Sequence, residues 1–153
     1  MIAIFIDGDA CPVKDEVYAV ATRHGVPVGL VANSPIYVPP GMGVEMIVVP
    51  EGPDAADDWI AERARPGDVV VTADLPLAAR CLEAGARVLG THGREIDGEA
   101  IGGLLATRAL KEHLRGAGVA TGGPAPLSGR DRSRFSSKLD ELVGRSLREF
   151  PDG

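Results

Sequence analysis

Apolar residues fall in short unbroken runs separated by helix-length amphipathic stretches, and the two alternate over the first ninety positions. Ile2–Ile6, Val26–Ala32, Val44–Val49, Asp68–Thr72 and Ala86–Leu89 read as strands. Residues 13–24, 54–65 and 75–84 read as helices. Pro12 suits a first helical turn, and Gly25 suits the position just past a helix end. Asn33–Gly43 holds three prolines and two glycines and reads as a loop. Strands that are continuously apolar, rather than alternating, are buried on both faces, as in a parallel sheet covered by helices. The order therefore predicts an α/β three-layer sandwich with a mostly parallel central sheet of about five strands. Two further helices, near 98–115 and 130–148, follow it. A Gly- and Pro-rich segment, 116–129, joins them and is long enough to be functional. No internal repeat or interdomain linker is visible, so residues 1–150 read as a single domain.

Composition narrows the class. Aromatic residues make up 4% of the 153, so the core has to be aliphatic. No apolar run approaches the ~20 residues of a membrane span. Met1 leads straight into a strand without a basic, then apolar, leader, which predicts a cytoplasmic location. Cys11 and Cys81 make neither a disulfide framework nor a four-ligand zinc site. The net charge of -6 is unevenly spread. Residues 1–107 hold 7 Lys/Arg against 16 Asp/Glu, whereas 108–150 hold 9 against 5. An acidic body with a basic tail suits a metal site beside a phosphate-binding strip; the alternative is a solvated helix face.

The acids fall where chemistry is expected. Asp7 and Asp9 follow the first strand directly, and Asp74 follows the fourth in Thr72-Ala73-Asp74. Ligands of open α/β sheets bind beyond the strand C-termini, where the strand order reverses. Asp54, Asp57 and Asp58 lie at i, i+3 and i+4, on one face of a helix's first turn. Clustered carboxylates repel unless a cation neutralises them, and hard oxygen ligands select Mg²⁺ or Mn²⁺. Asp7, Asp9, Asp57, Asp58 and Asp74 are thus the candidate metal ligands, with Asp7, Asp57, Asp58 and Asp74 the candidate catalytic set. The competing roles are helix caps for Asp54, Asp9 and Asp74, and dipole partners for Asp57 and Asp58.

Asp7-Gly-Asp-Ala-Cys-Pro12, Val31-Ala-Asn33, Val49-Pro50, Asp54-Ala-Ala-Asp-Asp58, Thr72-Ala-Asp-Leu-Pro-Leu-Ala78 and Thr121-Gly-Gly-Pro124 together resemble the YaiI/YqxD family. These are small bacterial proteins of unknown function, and the resemblance runs from Met1 to about Leu142. It implies a PIN-domain-like fold, a superfamily that includes metal-dependent nucleases. Such nucleases use an acid after strand one, one on a central helix and one after strand four; Asp7, Asp57 or Asp58, and Asp74 match those roles. A fourth acid usually stands further along. Here that region offers Glu95, Asp97 and Glu99, none clearly placed.

In the tail, Gly122-Gly-Pro124 stands near Ser128, Arg130, Arg132 and Arg134. Glycines let backbone N–H groups approach phosphate and arginine grips it with a planar fork. Ser128 is also a natural cap for the last helix, and the arginines can simply be solvated. Asn33 ends the second strand, where it can touch substrate or close an Asx-turn, and Thr72 stands beside the acids. Cys11 reads as a small packed residue beneath the crevice, Cys81 as core, and Trp59 as a core anchor in preference to a base-stacking ring. His24, His92 and His113 show no metal spacing.

The leading expectation is a Mg²⁺- or Mn²⁺-dependent phosphodiesterase acting on nucleic acid, RNA first, with Asn33, Thr72, Ser128, Arg130, Arg132 and Arg134 as substrate contacts. One alternative is a haloacid-dehalogenase-like phosphatase with Asp7 as nucleophile and Asp9 as acid/base. For it, Lys111 and Lys138 lie in the wrong helical context. The other is a metal- or nucleotide-binding module without turnover.

Overall fold

The computed structural model of the chain describes residues 1–52, 54–118 and 126–151. Six strands form one sheet in the order β3-β2-β1-β4-β5-β6. They are β1 (Ile4–Asp7), β2 (Val28–Ala32), β3 (Val44–Val48), β4 (Val69–Val71), β5 (Arg87–Leu89) and β6 (Glu95–Ile96). The first five are parallel, and β6 runs antiparallel to β5. The helices are α1 (Lys14–His24), α2 (Ala55–Arg63), α3 (Leu75–Glu83), α4 (Ile101–Gly116) and α5 (Gly129–Glu149). The predicted α/β sandwich with a mostly parallel sheet is thus present, with one more strand than expected.

The continuous apolar runs are explained by two cores. On one face Ile4, Ile6, Leu30, Val69, Val71 and Leu89 pack under α1 and α5, whose Val17, Val20, Phe135, Leu139 and Leu142 are almost wholly buried. On the other, Val31, Val70 and Val88 pack under α2 and α3 through Ile60, Leu77, Ala78 and Cys81. Side chains alternate along a strand. In β1, then, Ile4 and Ile6 face α1 and α5, while Phe5 and Asp7 face α2 and α3. The same alternation sends Thr72, one step past Val71, to the α2/α3 side.

Boundaries moved for local reasons. The first strand starts at Ile4, two residues later than predicted, since the Ala3 N–H is taken by the Asp68 carboxylate at 2.9 Å. Asp68 was expected to open a strand with its backbone. Its side chain is instead buried and also accepts the Arg65 N–H at 3.0 Å. The helix expected from Gly98 starts at Ile101, because Asp97 Oδ1 accepts the Ala100 N–H at 2.8 Å and holds a turn there. β6 escapes sequence reading because it has only two residues. A turn creates it: Gly90 N–H donates to the Arg94 carbonyl at 2.9 Å, and Gly93 takes φ +89°. A Cβ at Gly93 would lie 2.8 Å from the Phe135 backbone nitrogen, so this turn sits directly on the start of α5. No helix among the described residues is long and apolar enough to cross a membrane.

Candidate functional site

The sheet reverses its order between β1 and β4: the chain builds outward through β2 and β3 on one side, then β4, β5 and β6 on the other. At such a switch point the loops after the two adjacent strands part and leave a crevice. Asp7 ends β1 there, and Asp74 caps the helix that follows β4. One hydroxyl ties them together. Thr72 Oγ1 donates to Asp7 Oδ2 at 3.1 Å and accepts the Asp74 N–H at 3.0 Å. Thr72 itself is buried, so the two acids are held in fixed relation.

Asp74 serves as the N-cap of α3, its Oδ1 accepting the Leu77 N–H at 2.9 Å. The cap uses one oxygen and leaves the other. Asp57, in the first turn of α2, completes the acidic mouth. Burial pushes its carboxyl up to about 6, helped by the charges of Asp74, Asp7 and Asp54, and Arg80 opposes the rise. Burial likewise raises Asp7; the Thr72 hydroxyl pulls it back, while Asp74 and Asp9 push it higher. Both acids therefore stand in a field short of positive charge. Among the described residues no three or more His, Cys, Asp or Glu side chains gather closely enough to form a ready-made metal cage. The three acids are thus electrostatic neighbours rather than a closed ligand set. Mg²⁺ keeps most of its waters and takes only one or two carboxylates directly, so the donor chemistry fits such an ion.

The remaining candidates separate clearly. Asp58 is held by Arg80, whose Nη1 donates to Oδ1 at 2.7 Å, so Asp57 rather than its neighbour bears on Asp7 and Asp74. Asp9 accepts the Asn33 N–H at 3.1 and 3.3 Å, and Asn33 Nδ2 donates to the Pro50 carbonyl at 3.0 Å. That pair latches the ends of β1 and β2 together. Asp54 precedes α2 without capping it through its side chain.

The basic tail lies on the other layer. Arg132 Nη1 donates to the Pro12 carbonyl at 2.9 Å and to Glu16 at 3.1 Å, fixing α5 alongside α1. Arg134 pairs with Asp131 at 3.3 Å, and Ser128 forms a capping box with Asp131. Arg130 is exposed. These residues belong to the α1/α5 layer, whereas Asp57 and Asp74 belong to the helices of the α2/α3 layer. The Thr121–Pro124 segment lies outside the described residues. Glu95 reaches Lys138 at 3.8 Å, and Asp97 serves the turn before α4, so each has a structural partner.

Cys11 and Cys81 are buried thiols, as expected, and burial pushes Cys81 up to about 11. Trp59 stands edge-on to Phe5 with ring centroids 5.9 Å apart, and the Arg63 guanidinium covers its face at 4.1 Å. An apolar groove of about 350 Å³ runs past Phe5, Gly29, Ile47 and Trp59, near the N-terminal ends of the strands. Sequence reasoning missed Arg80 and Glu16. Their partners lie 22 and 116 positions away, and no local spacing marks such pairs.

No solved structure matches the chain. A protein of Rhodopseudomonas palustris named UPF0178 protein is 54% identical over 148 residues, covering 97% of this chain and 90% of its own length. UPF0178 proteins of Bradyrhizobium diazoefficiens and Caulobacter vibrioides are 55% and 54% identical, each aligned over 97% of this chain and over 89% and 97% of their own lengths. The model of the uncharacterized BCR, YaiI/YqxD family matches residues 5–145, which takes in the crevice and most of α5, and the chain belongs to that family.

Proposed function

We propose that the crevice binds a divalent cation, Mg²⁺ or Mn²⁺, and hydrolyses a phosphodiester of nucleic acid, RNA first. The observation behind this is the tie of Asp7 and Asp74 through Thr72 at the switch point, with Asp57 within electrostatic reach of both. Arg80 offsets anions so arranged only in part, and a hard cation is the natural further counter-charge. Asp7 and Asp57 would hold it, with the free oxygen of Asp74 beside them. Bound there, such an ion would neutralise the acids and would supply Lewis-acid chemistry toward a phosphoryl oxygen. The chain's own part is orientation: Thr72 fixes Asp7, and the α3 cap fixes Asp74. The PIN-like resemblance points the same way. The phosphatase alternative loses support, since the carboxylate it needs as acid/base, Asp9, already holds the Asn33 N–H.

Titration calorimetry with Mn²⁺ tests the site. Asp7→Asn is expected to weaken binding at least tenfold, about 1.4 kcal/mol. Equal affinity in both proteins would remove the site from consideration. A panel of RNA, DNA and small phosphate esters then tests turnover. Mn²⁺ binding without hydrolysis of any of them favours a binding module, a reading suited to acids that do not form a closed cage.

A further inference from the structure

We propose that Arg80 binds substrate at this crevice, donating to a non-bridging phosphate oxygen of single-stranded RNA laid across the mouth. The proposal rests on the phosphodiesterase reading above and names the cation that reading lacks. A metal can address one phosphate, but a strand has others, and each needs a positive partner. Two arginines of α5 have partners within their own layer. Arg132 holds Pro12 and Glu16, and Arg134 pairs with Asp131, both on the α1/α5 layer. On the acids' own layer, Arg63 covers Trp59 and donates to its carbonyl at 3.1 Å.

Arg80 is set apart by the residue it holds, Asp58, which adjoins Asp57. It rises from α3, the helix that Asp74 caps, and reaches the first turn of α2, where Asp58 adjoins Asp57. Its guanidinium therefore bridges the two helices that form the acidic wall. The contact with Asp58 is made by Nη1, at 2.7 Å, and the Arg80 side chain remains 46% exposed. A guanidinium has five donors in a rigid fork, and one carboxylate on one nitrogen leaves most of them available. The Asp58 carboxylate, 53% exposed, holds the group in place until phosphate competes for it. The positive field of Arg80 already reaches Asp57.

The experiment is fluorescence anisotropy of a labelled single-stranded RNA oligonucleotide, with Mn²⁺ and with chelator, over a range of salt. The proteins are the full chain and its Arg80→Ala, Arg80→Lys and Asp58→Asn variants, each checked for an intact thermal transition. Arg80→Ala is expected to weaken binding about tenfold or more and to reduce the salt slope by about 0.7. Arg80→Lys, which keeps the charge and loses the fork, should fall between. Asp58→Asn removes the competing anion and should tighten binding roughly twofold to fivefold. If Arg80 were only a strut between α2 and α3, Asp58→Asn would weaken binding as Arg80→Ala does, and that result overturns the proposal. So does an unchanged salt slope in Arg80→Ala. Absence of RNA binding by the unaltered protein would instead sink the nucleic-acid reading, and the proposal with it.

Discussion

Replacing Asp57 by Asn should stabilise the metal-free protein while weakening its hold on metal. The Asp57 carboxyl rises from 3.8 to about 6 on folding, chiefly through burial and the charges of Asp74 and Asp7. Taken whole, that rise corresponds to about 3 kcal/mol lost to the folded state at neutral pH. Asp57 is only partly buried, and solvent screening reduces the figure to about 1 kcal/mol. Because the folded state binds the proton more tightly, stability falls as pH rises from about 4 to about 6 and stays lowered above that. Below that window the carboxyl is protonated in both states and the cost vanishes. Asn, which cannot ionise, should therefore melt about 2–4 °C higher than the unaltered protein at pH 7.5 in chelator. The gain should shrink toward zero near pH 4. Adding Mn²⁺ should reverse the ranking, since an ion that binds only the folded state raises the melting temperature of the protein that binds it better. The opposing view casts Asp57 as a helix-dipole partner, which would make Asn destabilising by about 0.3–1 kcal/mol. A lower melting temperature for Asp57→Asn at pH 7.5, or a gain that does not change with pH, would refute the electrostatic account.

Two further outcomes follow from the contacts. Asp74→Ala removes the α3 cap and should cost about 1 kcal/mol in urea melts, whereas Asp74→Asn keeps a capping oxygen and should change stability little while still weakening Mn²⁺ binding. Equal losses in both variants would mean that the cap is not the source. Phe135→Ala empties a fully buried site beneath α5 and should cost about 3–5 kcal/mol. A loss under 1 kcal/mol would show that α5 is not docked as described.

The sequence alone determined the layering. Unbroken runs such as Val69–Val71 and Val28–Ala32 leave no polar face, and only a sheet covered on both sides accepts them. It also placed Asp7 at the end of β1 and Asp74 just beyond β4, because a carboxylate soon after an apolar run lies where the buried strand emerges. Two short-range limits account for what it lost at the edges: β6 is too brief to have a period, and Asp68 and Asp97 redirect the backbone through side-chain bonds. The choice between Asp57 and Asp58 could not be read, since adjacent residues in a first turn differ only in what faces them. The tertiary structure distinguishes the two by bringing Arg80 from another helix onto Asp58. It decided the fate of the basic tail as well. Charge counting cannot tell which side of a sheet a helix will cover, and the apolar face of α5 through Phe135, Leu139 and Leu142 seats it beside α1. Arg132 is thereby drawn to Glu16 of α1. Patterning along the chain fixes what must be buried; which charges then meet depends on long-range packing, and that is written in no local interval.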